Sequence, residues 1–200
     1  MQGKNHLALA LAAPLGLSFF PATANLIGLP PDILAWAGLA LGSLAPDIDG
    51  GGAIARPSKF LPSLLPETAL DLVDGVGLTI SRVIRALVGH RGATHWPVWG
   101  AAIVWAGLHW GWPWLVWFGI GYLLHILGDA LTVQGVPALG PLISKKFSLL
   151  PLRTGGRLET FLGGLLWVAV VVGLAVIYLP GPFEIVRDYW ALIAYRLTLK

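Results

Sequence analysis

The chain has 200 residues, of which 56% are hydrophobic and only 12% are charged. Soluble domains carry about 25% charged residues, so this composition argues against a soluble fold and indicates a membrane protein. Cysteine is absent, which excludes disulfides and thiolate metal ligands, and the formal net charge of +3 is too small to suggest nucleic-acid binding.

Five apolar stretches predict membrane helices. In chain order they cover residues 3–20, 32–45, 97–110, 114–131 and 158–179. A helix needs about 20 residues to cross the hydrocarbon core, and only the last stretch meets this length comfortably. The first four are short enough for some of them to be re-entrant. We predict one all-α domain over residues 1–200, a polytopic bundle of about five transmembrane helices.

Residues 67–89 predict an amphipathic helix outside this set. Apolar positions recur at helical spacing on one face: Leu70, Val73, Gly77, Ile80, Ile84 and Leu87. Acidic residues come first and basic residues last, which is the order that the helix dipole favours. We interpret this segment as a helix that lies in the membrane interface or on the protein, in preference to a sixth membrane span, and residues 181–200 as an amphipathic C-terminal tail.

Basic residues predict the orientation of the bundle. With a cytoplasmic N terminus and five spans, ten basic residues fall inside and three fall outside. Those inside are Lys4, Arg56, Lys59, Arg82, Arg85, Arg91, Lys145, Lys146, Arg153 and Arg157, and those outside are Arg187, Arg196 and Lys200. This bias follows the positive-inside rule and predicts a multi-pass membrane protein with its N terminus in the cytoplasm.

Most of the histidines, with several carboxylates, collect at one membrane level in this topology. They are His6, Asp47, Asp49, His90, His95, His125, Asp129 and Glu159, with Arg91 beside them. His109 falls at the opposite end and is interpreted as an interface residue. Ionisable groups at membrane depth are costly and usually functional, so their convergence predicts a site that faces the cytoplasm.

The local patterns suit metal binding. His125 and Asp129 are four residues apart, so a helix places both on one face. Asp47 and Asp49 follow a proline and precede three glycines, which predicts a tight turn rather than a helix. Thr94 is a candidate N-cap for the third apolar helix, with Pro97 in its first turn.

Each motif alone also has an ordinary explanation. The His125–Asp129 pair could be a buried hydrogen bond, the two aspartates a helix C-terminal turn, and residues 90–95 a basic interfacial loop. Their convergence at one level favours a metal site over these alternatives. Mixed imidazole and carboxylate ligands suit zinc, manganese or iron better than calcium.

The ordered set "GSLAPDIDG", "HRGATHW", "GYLLHILGDALTVQGV" and "RTGGRLE", after an N-terminal histidine, resembles the YdjM-like membrane-bound metal-dependent hydrolases over about residues 3–165. The resemblance implies an inner-membrane protein of bacteria or archaea. The ligand positions that it implies are His6, Asp47, Asp49, His90, His95, His125 and Asp129, and Arg91 and Glu159 match its other polar positions. Trp96 departs from the small polar residue expected there, and its bulk would narrow the mouth of the site.

These observations predict a metal-dependent hydrolase. Seven ligands exceed one tetrahedral site and indicate two or more divalent ions, with zinc favoured and manganese or iron as alternatives. Arg91 would hold a phosphate, and Glu159 would be a further ligand or a proton shuttle. The depth of the site predicts a membrane lipid or lipid phosphate as substrate. An ion transporter and a non-catalytic protein with a structural metal remain the alternatives, and the oligomeric state stays open.

Overall fold

The computed structural model describes residues 1–20, 28–56, 58, 66–143 and 145–179. Within these ranges the fold consists of six α-helices and three short 3₁₀ helices, and β-pairing is limited to two isolated bridges. The all-α fold class is therefore confirmed. The predicted C-terminal tail, residues 181–200, lies outside the described residues.

The α-helices follow the predicted stretches closely. They are α1 Gly3–Ser18, α2 Ile33–Gly42, α3 Glu67–Val88, α4 Pro97–Trp110, α5 Pro113–Ala130 and α6 Arg157–Tyr178. The largest difference is at the end of α2, which stops at Gly42 instead of residue 45. Pro46 explains the early end, because proline lacks an N–H group and disfavours helical backbone in the residue before it.

Helix α5 lies at the centre of the arrangement and packs against both α2 and α4, while α1 packs on α6 and also contacts α5. Glycines allow the α2–α5 approach. A Cβ atom on Gly42 would overlap the carbonyl of Phe118, and a Cβ atom on Gly121 would overlap the carbonyl of Leu39. The two helices therefore meet along their backbones, which carries the chain after α2 to the C-terminal turns of α5.

Among the described helices, only α6 combines the length and the hydropathy needed to cross a membrane. Helix α2, with 10 residues, spans about 15 Å, roughly half of the hydrocarbon core. Helix length therefore does not establish five spans. The outer surfaces are nevertheless apolar: Trp105, Leu108, Phe161 and Val168 are all exposed. Such a continuous apolar exterior is unusual for a protein in water.

Helix α3 has three faces. Leu70 and Ser81 are buried, and Gly77 lies so close to Ala55 that a Cβ atom would contact its carbonyl. A second arc is apolar and exposed, and it consists of Leu72, Val73, Val76, Ile80, Val83 and Leu87. The third, also exposed, carries the charged residues Glu67, Asp71, Arg82 and Arg85. The predicted amphipathic helix is confirmed, but Leu70 and Gly77 of its predicted apolar face pack on the protein, whereas Val73, Ile80 and Leu87 are exposed.

Candidate metal centre

Four side chains converge where α2 and α5 end. They are Asp47, His95, His125 and Asp129, and one ligand atom from each lies within 4.8 Å of all the others. The Nε2 atoms of His95 and His125 lie 3.4 and 3.5 Å from Asp129 Oδ2. The same two nitrogens lie 3.8 and 3.7 Å from Asp47 Oδ1. Two imidazoles thus face two carboxylates across one small volume.

Three separate pieces of chain supply these ligands. His125 and Asp129 share one face of α5 in its last turns, as their spacing predicts. Asp47 belongs to the 3₁₀ helix Ala45–Gly50, here called the Asp47 segment. His95 closes the 3₁₀ helix Ala93–His95, called the His95 segment. The predicted tight turn at Asp47 is therefore wrong in detail: the chain makes a 3₁₀ helix, which ends at Gly51 with a φ of 66°.

The buried polar atoms of this group fit a divalent cation. His95 Nε2, His125 Nε2 and Asp129 Oδ2 are fully buried and have no hydrogen-bond partner. A buried polar group without a partner costs about 1–3 kcal/mol, so three at one point would be strongly destabilising unless a ligand satisfies them. Two nitrogens and two carboxylate oxygens form a donor set that zinc, manganese and iron accept. The residues present therefore fit the predicted metal.

Hydrogen bonds behind the two histidines set their tautomers. His125 Nδ1 lies 2.7 Å from the carbonyl oxygen of Ser43, which can only accept, so Nδ1 carries the proton. The hydroxyl of Thr94 donates to Asp49 Oδ2 at 2.7 Å, and its oxygen lies 3.0 Å from His95 Nδ1 and accepts from it. Burial also lowers the pKa of His95, which favours the neutral imidazole. Both Nε2 atoms are therefore left with the lone pair that a metal requires.

Thr94→Val should weaken metal binding about 10- to 100-fold while the protein remains folded, because the hydroxyl that orients His95 is lost. Competition with a chromophoric chelator would measure the affinity. Thr79→Val is the matched control, since the Thr79 hydroxyl only donates to the Gly75 carbonyl within α3. Equal metal affinity in Thr94→Val and Thr79→Val would contradict this role of Thr94.

The role of Thr94 differs from the N-cap predicted for it. The residue at the N-cap of α4 is Trp96, which makes no side-chain capping bond, and Pro97 opens the first turn as predicted. The hydroxyl of Thr94 is instead used by Asp49, and its carbonyl accepts a hydrogen bond from the hydroxyl of Tyr122. The N-cap prediction is wrong because these contacts to other segments draw Thr94 away from the helix start.

Asp49 and His90 form a pair beside the four residues. Asp49 is fully buried, and its Oδ1 lies 3.1 Å from His90 Nδ1. Its Oδ2 accepts from the backbone N–H of Arg91 at 2.9 Å in addition to the Thr94 hydroxyl. His90 has a side chain that is 41% exposed. Asp49 thus holds the loop before α4, and the ligand roles of Asp49 and His90 stay predictions.

His6 reaches the group from α1. Its ring stacks on that of His125 with the centroids 3.7 Å apart, and its Nε2 lies 3.1 Å from Asp129 Oδ1. His6 is completely buried. It therefore lies against two of the four residues, at a position where it could complete the site of a further ion.

Arg91 and Glu159 are both buried, and both are engaged by the protein. Arg91 has a φ of 52°, an uncommon value for a residue other than glycine, and its two terminal nitrogens donate to Asp129 Oδ1 at 2.6 Å and to Thr132 Oγ1 at 3.2 Å. Glu159 accepts from the backbone N–H groups of Gln2 and Gly155 and from the side chain of Asn5. Arg91 thus balances the charge of Asp129, and Glu159 ties α6 to the start of α1. Their predicted catalytic roles stay predictions.

Sequence reasoning missed Ser43, Tyr122 and Thr132 as supporting residues. All three lie inside the motifs "GSLAPDIDG" and "GYLLHILGDALTVQGV", and for Tyr122 and Thr132 motif membership was the signal that could have found them. Ser43 contributes its backbone carbonyl, which no side-chain pattern reveals.

Comparison with known proteins agrees with the resemblance seen in the motifs. The family model described as YdjM inner membrane protein matches residues 1–197. No curated protein and no solved structure matches the chain significantly. The family match covers nearly the whole chain, including every residue of the metal centre. The chain therefore belongs to the family of YdjM inner membrane proteins.

Proposed function

We propose that this protein is a membrane-embedded, metal-dependent hydrolase that cleaves a phosphoester of a membrane lipid. The observation that carries the proposal is the convergence of three buried ligand atoms without hydrogen-bond partners, on His95, His125 and Asp129, beside the carboxylate of Asp47. Asp47, His95, His125 and Asp129 would hold the first cation. His6 and Asp49, which border the group, are the candidates for holding a second.

A bound divalent cation, zinc by preference and manganese or iron as alternatives, would supply Lewis-acid chemistry that polarises a phosphoryl oxygen and makes water more acidic. The chain supplies the rest. Ser43 and Thr94 orient the two imidazoles, and Arg91 balances the charge of Asp129.

The exposure of Asp47 favours a catalytic site over a structural one. The other three ligands are completely buried, whereas the Asp47 side chain is 22% exposed. Structural metal sites are closed on all sides, while catalytic sites keep a position open to water or substrate.

Transport sites usually lie near the bilayer midplane at broken helices. These ligands come instead from the end of α5 and from two 3₁₀ segments, which argues against transport.

The pair of His90 and Asp49 is suited to proton transfer. Asp49 accepts from His90 Nδ1, and the His90 side chain is 41% exposed, so Nε2 is the ring nitrogen that remains for proton exchange. A buried carboxylate that orients an exposed imidazole is a common arrangement for a general acid or base. His90 is therefore assigned here as the group that exchanges a proton with water or with the leaving group, in place of a ligand role.

We further propose that the helices form a five-span bundle of the inner membrane with the site on the cytoplasmic side. The ten-to-three distribution of basic residues supports this orientation, although the three outer ones lie outside the described residues. The exposed apolar side chains of α2, α4 and α6 support contact with lipid. Such a bundle would hold the site at the depth of lipid headgroups.

Metal-replete protein in detergent should release phosphate or a phosphorylated headgroup from at least one member of a panel of phospholipids and isoprenoid phosphates. Turnover should vanish with chelator and return with zinc or manganese. His90→Gln should keep its metal and lose about 10²- to 10⁴-fold in kcat, whereas His109→Gln should behave as wild type. Release no greater than that of Asp47→Asn across the whole panel would contradict a lipid phosphoesterase.

A further inference from the structure

A cleft lies beside the metal centre, between the C-terminal end of α3, the His95 segment and the loop after α5. Its volume is about 480 Å³. The residues that line it include Leu87, Val88, His90, Arg91, Trp96 and Lys146. Trp96, which stands where the family resemblance predicts a small polar residue, therefore lines this cleft. Arg91 both lines the cleft and bonds to Asp129, so this side chain connects the cleft to one of the metal ligands.

The cleft is cationic. Lys146 is exposed, and its Nζ donates to the carbonyl oxygen of His90 at 3.5 Å, which holds the ammonium group over the cleft. Arg91 is 4% exposed, and its Nε is a buried donor without a hydrogen-bond partner. The residues that line the cleft include no carboxylate. Asp49 and Asp129 bond to His90 and Arg91, and Lys146 is the cation of the lining that pairs with no carboxylate among the described residues. This arrangement suits an anion with several oxygens.

One wall of the same cleft is apolar. Leu87 is 79% exposed and Val88 is partly exposed, and Leu87 ends the uncovered apolar arc of α3. An exposed apolar arc beside a charged arc is the pattern of a helix that lies in the membrane interface. Tryptophan, here Trp96, is also favoured at that level. A cationic cleft with this wall fits a phosphate that is attached to a lipid better than a free anion.

We propose that this cleft binds the phosphate of an anionic lipid headgroup, with Lys146 and Arg91 as its cations and the end of α3 against the lipid's apolar part. This inference rests on the proposed function, because the bound lipid would be the substrate of the hydrolase, held next to the metal ligands. It adds a binding residue, Lys146, that the metal centre does not contain.

Calorimetric titration tests whether the cleft binds a lipid phosphate. The full-length protein in detergent is first treated with chelator, so that binding at a metal makes no contribution. The probe is dihexanoyl phosphatidic acid, with inorganic phosphate as the second arm. Lys146→Glu should weaken binding of the lipid by about tenfold or more, because a hydrogen-bonded charge is lost and reversed. Lys145→Glu is the matched control: the same charge change on the exposed neighbour, which does not line the cleft, should leave the affinity within twofold.

Weaker binding of inorganic phosphate than of phosphatidic acid, with the same dependence on Lys146, supports a lipid headgroup. Equal affinities would assign the cleft to free phosphate and overturn the lipid inference. Equal affinities of wild type and Lys146→Glu, or no binding of either probe, would overturn the cleft as an anion site. Lys146-dependent binding together with no lipid turnover in metal-replete protein would reject the proposed hydrolase activity and would still support the cleft as a binding site for a lipid phosphate.

Discussion

Asp129→Ala is expected to lose most of the bound metal, more than about 100-fold in affinity, because Asp129 faces both imidazole Nε2 atoms. His95→Ala should do the same. His109→Ala should keep its metal, since His109 stacks on Trp105 near the opposite end of α4. Elemental analysis of the three purified variants beside wild type measures this directly.

Asp129 also neutralises the buried Arg91, so its removal should destabilise the fold by about 3–5 kcal/mol. Asp129→Asn therefore accompanies the alanine variant, because it keeps the volume and one acceptor oxygen while removing the charge. His95→Ala leaves Arg91 and Asp129 paired and separates loss of a ligand from loss of the fold. Equal metal content in the His95→Ala, Asp129→Asn and His109→Ala proteins would contradict the proposed centre.

Gly121→Ala should destabilise the fold strongly, by about 3 kcal/mol or more. The added Cβ atom would overlap the Leu39 carbonyl of α2, a backbone atom that cannot turn aside. The separation of α2 from α5 would also pull the Ser43 carbonyl away from His125. We therefore expect weaker metal binding in the fraction that folds.

Gly164→Ala in α6 is the matched control, because a Cβ atom at Gly164 would meet nothing within 4 Å. Helix propensity alone favours alanine over glycine by about 1 kcal/mol, so this control should be neutral or slightly stabilised. Thermal unfolding in the same detergent compares the two variants. A Gly121→Ala protein as stable as Gly164→Ala would contradict the close packing of α2 on α5.

The helices could be predicted from the sequence because their apolar runs end at strong local signals. Pro97 and Pro113 open α4 and α5, and the predicted start of α4 agrees with the structure. The end of α2 was missed by three residues, since the 3₁₀ segment that contains Pro46 is too short to show a periodicity in the sequence. The exposed apolar arc of α3 was only partly predicted, because which face packs on the protein depends on tertiary contacts at Gly77.

The sequence predicts which residues belong to the candidate site, but not how they are arranged in space. His125 and Asp129 share a helix, so their spacing alone places them together. Asp47 and Asp49 are two residues apart, yet their contacts differ. Asp47 faces the imidazoles of the centre, whereas Asp49 bonds to His90 and to the backbone of Arg91. That division depends on how the 3₁₀ segment meets the loop before α4, a non-local contact that no local pattern encodes. Lys146 was missed as a cleft residue for the same reason.

X-ray absorption at the metal edge of the purified, metal-replete protein probes the ligands of the proposed centre directly. We expect a first shell of nitrogen and oxygen only, at about 2.0–2.2 Å for zinc, with outer-shell scattering from at least two imidazoles. The imidazole scattering should fall in His125→Ala and stay unchanged in His109→Ala. A metal without imidazole scattering, or a spectrum that His125→Ala leaves unchanged, would contradict a centre built from Asp47, His95, His125 and Asp129.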